Sequence, residues 1–273
     1  MSAVARFAGD GDRRATRAVA AALAAVLALY AAAWLALGPL PQDPAYHMFA
    51  DLRTCLGGLV PRAGDVLTNL AILAAGCYGL ARRARFNVAP DERPASDLLI
   101  LGTFLTAAGS AYYHWDPRNA TLVWDRLPMM LVIPPILVLV LADRVNAAYA
   151  RRALVPLTVF ALASVLWWNV SEALGQEDVR LYFMVRVLLA LAVLLLLVFR
   201  RSRYTGSGWL VAALVAEGAM ITCERLDHQI FALTGGLASG HNLKHLTVGI
   251  ALACVFTWLA RRRPRAPTGA VPA

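Results

Sequence analysis

Eight stretches of this chain are long and apolar enough to cross a lipid bilayer as helices, and that count restricts the fold more than any other feature. They cover residues 18–37, 66–80, 98–115, 120–142, 153–174, 179–199, 208–226 and 240–260. A hydrocarbon layer about 30 Å thick takes roughly 20 helical residues per crossing, so the second run, 66–80, is the shortest. The runs are continuous in Ala, Leu and Val rather than alternating. That pattern selects helices over a barrel, because a spanning helix satisfies its own backbone hydrogen bonds in lipid. Of 273 residues, 59% are hydrophobic and 16% charged, against about a quarter charged in soluble domains. The chain lacks the polar surface of a soluble protein, and the same composition excludes a disordered or fibrous one. Four cysteines, Cys55, Cys77, Cys223 and Cys254, are too few for a disulfide scaffold, although Cys55 and Cys223 could meet on one side.

The predicted fold is therefore all-α: a polytopic membrane helical bundle with a seven-helix core and one extra N-terminal transmembrane helix. A basic tail (1–17) leads into the extra helix (18–37), an outer cap loop (38–65), the core (66–260) and a second basic tail (261–273). The first run is longer than the 7 to 15 residues of a signal-peptide core and shows no small-x-small cleavage site, so it reads as an uncleaved anchor. Eighteen of the 26 basic residues fall on one side of the bundle if the N-terminus is cytoplasmic. They are Arg6, Arg13, Arg14 and Arg17, then Arg82, Arg83, Arg85 and Arg93, then Arg144, Arg151 and Arg152, then Arg200, Arg201 and Arg203, then Arg261, Arg262, Arg263 and Arg265. The positive-inside rule then places both termini in the cytoplasm, in the manner of a bacterial inner-membrane protein. Arginines scattered beside helix ends do not make a nucleic-acid surface, so no nucleic-acid partner is expected.

Polar residues within a membrane domain mark function or a buried network, and here they gather toward the outer side. The third run ends on Ser110 and His114, the fourth begins with Asp125, and the eighth begins with His241 and His245. Ser239 and Gly240 signal the start of that last helix. His241 and His245, four apart, share one helix face, and Ser110 sits one turn deeper than His114 on a common face. Three imidazoles with a nearby carboxylate and hydroxyl match a catalytic zinc pattern, in which the metal acidifies a water and polarises a carbonyl. In that reading His114, His241 and His245 bind Zn2+, Asp125 carries a proton and Ser110 donates to a developing oxyanion. His47 and His228 also fall on the outer side.

The segments Gly109-Ser110-Ala111-Tyr112-Tyr113-His114, Leu122-Val123-Trp124-Asp125-Arg126-Leu127-Pro128-Met129 and Ser239-Gly240-His241-Asn242-Leu243-Lys244-His245 resemble the alkaline ceramidase family. That family belongs to the CREST superfamily of seven-helix membrane hydrolases, together with the progestin and adipoQ receptors. Its signature of Ser-x3-His, a following Asp and a late His-x3-His occurs here in order, within a resemblance spanning about residues 65–260. The resemblance implies zinc on His114, His241 and His245, with Ser110 and Asp125 in the catalytic shell. It also implies hydrolysis of the amide of a ceramide-like membrane lipid to a sphingoid base and a fatty acid. Thr68-Asn69 looks like the family's Ser-Asn, and Glu224 and Asp227 occupy acidic positions read as supporting.

The sequence departs from the family in two respects. An additional helix precedes the core, which turns an outward N-terminus inward and leaves the core orientation consistent. Some relatives carry a calcium-binding acidic cluster ahead of the first core helix. Here that stretch holds only Asp43, Asp51 and Asp65 beside Arg62, which do not align cleanly, so Ca2+ has no clear ligand set. Glu217 is expected to form a buried pair with Arg186 or, protonated, to hydrogen-bond a neighbour within the bundle, and Asn169 and Glu172 beside Trp167 and Trp168 to pack at the interface. A receptor-like or signalling protein that keeps the zinc site is the alternative reading. A transporter is disfavoured by the lack of a repeat and by polar residues that lie off the midplane.

Overall fold

A computed structural model describes residues 10–265. Arg6 and the outer parts of both tails, on which the cytoplasmic placement of the termini partly rests, lie outside these residues. The chain forms eleven α-helices among the described residues: α1 (Asp10–Ala36), α2 (Ala63–Thr68), α3 (Leu70–Arg82), α4 (Arg93–Trp115), α5 (Asn119–Met129), α6 (Ile133–Arg144), α7 (Ala147–Ala173), α8 (Arg180–Phe199), α9 (Ser207–Arg225), α10 (Asp227–Leu233) and α11 (Gly240–Arg261). Ten of them form eight rods, because α2 continues into α3 and α5 into α6, and the short α10 is not part of these. The all-α membrane bundle expected from the sequence is the observed architecture.

Among the described residues, seven helical spans are long and apolar enough to cross a membrane. The rod that falls short is α4, which at 23 residues has the length but carries Arg93, Asp97 and a polar last turn. Its polarity belongs to the site described below. The two interrupted rods have local causes. Asn69 turns its side-chain amide back onto the Asp65 carbonyl at 2.9 Å, competing with the helix for that acceptor. Between α5 and α6 the prolines at 128, 134 and 135 cannot donate into the ladder, and residues 130–132 form a turn.

Packing runs from α9 to α11, on to α3 and α4, and from α4 to α5 and α6; α6 then packs on α7 and α8. The consecutive helices α8 and α9 share no extended packed face, so the bundle is open between them. α1 leans on α8, and only 6% of its apolar window is buried, which sets it outside the other seven rods. Its attachment is polar. Arg180 at the start of α8 donates to the Trp34 and Leu37 carbonyls at 3.1 and 2.5 Å and lies 4.1 Å over the Trp34 ring. These bonds satisfy two carbonyls that the end of α1 leaves open. At the heart of the core, buried Arg126 sits 4.4 Å from the Trp168 ring and 4.5 Å from Tyr182, and donates to Gln42 at 2.5 Å. The loop of residues 38–62 is an ordered cap, with short 3-10 turns at Pro44–His47 and Leu56–Gly58 and a paired bridge between Cys55 and Val60. All four cysteines are free thiols.

Asp178, in the link between α7 and α8, ties the cap to α8. It accepts from Leu40 N at 3.3 Å and from two Arg180 nitrogens at 2.7 Å each. Burial pushes its carboxyl up, but the bonds from Arg180 and Leu40 outweigh this and hold it below the ordinary 3.8. A depressed carboxyl stabilises the fold above its unfolded value and loses that contribution as pH falls. Asp178→Asn is therefore expected to lower the melting temperature in detergent at pH 7. The gap to the parent protein should close as pH drops below about 3.8; a gap that stays constant down to pH 3 overturns the assignment.

Candidate metal centre

The last turn of α4 and the first two turns of α11 meet beneath the cap, and their three histidines converge. His114, His241 and His245 retain 1%, 4% and 2% of their surface. Their candidate ligand nitrogens all lie within 4.8 Å of one another, close enough for one metal ion. His114 Nε2 faces His241 Nε2 at 3.2 Å, and the ring centroids of the three pairs are 4.6, 4.8 and 5.0 Å apart. The helical spacing of four does the local work on α11, while α4 and α11 are brought together by their common packing on α2 and α3.

Hydrogen-bond accounting shows which way the nitrogens point. Thr68 gives its one proton to the Gly64 carbonyl at 2.8 Å, so its oxygen accepts at 2.9 Å from His245 Nδ1. His245 is thereby held as the Nδ1–H tautomer, with the Nε2 lone pair turned inward. That Nε2 is buried and has no protein partner, and His114 Nδ1 is likewise buried without one. Unpaired polar atoms in a dry interior cost about 1–3 kcal/mol each unless something binds them. A cation among the rings is what the donor set fits.

The cap and the start of α11 are pinned by one carboxylate. Asp227 accepts from His241 N at 2.7 Å and from Ala50 N at 2.9 Å. Next to Ala50, Phe49 lays its ring edge-on to His114 and His241 at 4.8 and 4.6 Å, covering the cluster from above. The helix starts where Ser239 and Gly240 signal it, and Ser239 and Asn242 form a capping box with reciprocal bonds of 3.0 Å. Gly240 is required there for space, since a Cβ would come within 2.1 Å of the Cys223 carbonyl. Asn242 also donates to buried Asp65 at 2.6 Å.

Ser110 lies one turn deeper on α4, with its hydroxyl beside the Asp125 carboxyl on α5. Both are buried. Their approach depends on Gly109, whose absent side chain lets α4 close on α5; a Cβ there would sit 2.0 Å from the Trp124 carbonyl. Lys244 pairs with Glu224 at 2.6 Å, and the Tyr46 hydroxyl reaches the same carboxylate at 3.4 Å. Lys244 and Glu224 also lie in the electrostatic neighbourhood of Asp125. Burial pushes the Tyr46 phenol up to about 12, so it stays protonated.

Other outer residues fall elsewhere. His47 bridges Tyr113 and Asn119 at 2.9 and 3.0 Å, and His228 sits exposed near the Met48 carbonyl. Neither joins the cluster. Glu172 accepts from Asn119 at 2.8 Å, and the buried Trp168 donates to Glu177 at 2.8 Å. Arg186 bonds the Tyr182 hydroxyl at 3.2 Å, and its charge faces Glu217 across the opening between α8 and α9, but no direct ion pair forms between them. The expected buried pair is thus split, because α8 and α9 stand apart. The cap residue Phe49 and the second bond of Asp227 escaped sequence reading, since both depend on contacts far along the chain.

Comparison with models of known families, with curated proteins and with solved structures yields no match.

Three measurements bear on this geometry. One divalent metal ion is expected per chain by elemental analysis of the purified protein, and His245→Ala should abolish it. Thr68→Val, which removes only the oxygen that orients His245, should weaken the metal about 10- to 100-fold in chelator competition; unchanged affinity overturns the tautomer argument. Gly109→Ala is expected to cost at least about 2 kcal/mol in detergent unfolding, as overpacking does, whereas a neutral result shows that α4 and α5 can part without penalty.

Proposed function

We propose that this protein is a zinc-dependent membrane amidohydrolase that cleaves ceramide-like lipids into a long-chain amine and a fatty acid. The observation that carries the reading is the convergence of three buried imidazoles, one oriented by Thr68, above a Ser110–Asp125 pair. Three nitrogens without oxygen ligands suit a borderline ion such as zinc rather than calcium or magnesium. In a tetrahedral zinc site, nitrogens stand about 3.3 Å apart, close to the 3.2 Å between His114 and His241. Bound there, zinc would supply Lewis acidity and an acidified water.

The chain's own residues account for the rest of the reaction. Water adds to the amide carbonyl and the C–N bond breaks, so one proton must leave the water and one must reach the departing nitrogen. Asp125 is the carboxylate placed to carry it. Ser110 lies beside Asp125 and is the hydroxyl available to the carbonyl oxygen as negative charge grows on it. Phe49 excludes bulk water from above. The unpacked side between α8 and α9 offers a two-chain lipid a way in from the bilayer, past Arg186 and Glu217. Arginine-rich ends opposite the histidines support a site toward the outer leaflet. The motif resemblance to alkaline ceramidases agrees with this chemistry.

Fatty-acid release from a fluorescent N-acyl sphingoid substrate in detergent is the direct test. Activity is expected to vanish with a chelator and return with zinc. Asp125→Ala and His241→Ala proteins that still melt cooperatively should each fall about 100-fold or more. Stoichiometric metal with no turnover would instead assign the chain to a receptor-like role, and full activity in Asp125→Ala would remove that residue from the mechanism.

A further inference from the structure

The end of the bundle remote from the histidines is rich in arginine, yet its arginines are not equivalent. Four have acidic partners. Arg83 forms a two-pronged pair with Asp97 at 2.6 Å, Arg151 lies 3.8 Å from Asp91, Arg144 lies 3.6 Å from Asp143, and Arg262 is buried against Glu92. Five others, Arg201, Arg203, Arg261, Arg263 and Arg265, are exposed, and their side chains pair with no carboxylate among the described residues. The side-chain contacts are neutral: Arg203 with the Val145 carbonyl, Arg265 with the Tyr204 carbonyl at 2.9 Å, and Arg261 with the Trp209 ring at 5.6 Å.

These five are also held in one place. The link between α8 and α9 pairs with the segment leaving α11: Thr205 N donates to Arg263 O at 2.8 Å, and Arg265 N to Arg203 O at 2.8 Å, around a bridge between Tyr204 and Pro264. Buried Arg262 anchors the same frame, donating to the Asn87 carbonyl at 2.8 Å between the Tyr204 and Trp258 rings. Beside it lies a cavity of about 600 Å3 lined by Asn87, Thr205, Ala260, Arg261 and Arg263. Arg263 N donates to Thr205 Oγ1 at 3.1 Å, which leaves the threonine proton for an outside acceptor. The cavity sits where α9 begins and α11 ends, at the level where a membrane's head groups meet the last helical turn.

Exposed guanidiniums gathered on a rigid frame, whose carboxylates are already engaged (Asp143 by Ser202 and Arg203 N, Glu92 by Arg262), favour an anion. Guanidinium forks match phosphate oxygens in pairs, and basic pockets between membrane helices suit acidic lipid head groups. We propose that this cavity binds a phosphate-bearing anion at the membrane surface, with Arg261 and Arg263 as charged donors and Thr205 as a neutral one. The site is separate from the histidine cluster and does not depend on what that cluster catalyses.

Native mass spectrometry and thermal melts of the full-length protein, in detergent with added phosphatidylglycerol, phosphatidylcholine or inorganic phosphate, test it. Phosphatidylglycerol is expected to give a discrete one-to-one adduct and to raise the melting temperature, and phosphatidylcholine to do neither. Arg261→Gln/Arg263→Gln should weaken the adduct about thirtyfold, the worth of two surface arginines, and Thr205→Val should weaken it without changing charge. Arg83→Gln/Arg151→Gln removes the same charge from arginines already paired and should leave the adduct intact. Saturation by inorganic phosphate, with no gain from phosphatidylglycerol, would identify the ligand as free phosphate. Equal adducts from both lipids without phosphate binding, equal loss in both double variants, or retention after Arg261→Gln/Arg263→Gln overturns the proposal.

Discussion

Lipid offers no hydrogen bonds, and this constraint governs the whole molecule. Every polar group placed below the head groups must find its partner inside the protein. Arg126 does so in part, among the rings of Tyr46, Trp168 and Tyr182 and through Gln42, with two nitrogens left over; Asp65 does so through Asn242, with one oxygen left over. His114 Nδ1 and His245 Nε2 are unmatched as well. What sets His245 Nε2 apart from the other unmatched atoms is its place beside two further imidazoles whose nitrogens could share one cation. The metal reading rests on that local deficit and on the tautomer that Thr68 imposes.

The second organising feature is close approach. Gly109 brings the backbones of α4 and α5 together beside Ser110 and Asp125, and Gly240 lets the start of α11 press on the end of α9. Glycines in these places allow helices to meet at distances that side chains forbid, as is common where packing rather than water drives helix association. Asp227 then links the start of α11 to the cap, so that the ligand His241 and the lid residue Phe49 share one anchor. Disturbing either segment is transmitted to the other through a single carboxylate.

The sequence reading located the rods well because hydrophobic runs are a local property. Their ends moved by a few residues: α4 starts at Arg93 and α7 at Ala147, earlier than apolarity suggested, since polar first turns can lie in the head-group layer. The breaks at Asn69 and near Met130 were not read from hydropathy, although the prolines at 128, 134 and 135 carried the second in plain view. Among site residues, the helical pairs Ser110 with His114 and His241 with His245 were legible because a spacing of four fixes a shared face. Phe49 was not, because an aromatic residue in a loop carries no local sign of what it covers.

Sequence alone determined that the chain is a helical membrane protein, which residues could ligate a metal, and that its arginines crowd toward one side. Those conclusions follow from composition and from periodicities shorter than two helical turns. Only the tertiary structure decided that His114, far from His241 along the chain, lies 3.2 Å from it. The same holds for Thr68 setting the tautomer of His245, for the parting of α8 from α9 that separates Arg186 and Glu217, and for the five unpaired arginines that share one frame. Contacts of that kind depend on how rods pack and where their backbones can touch, and no short window of residues encodes them.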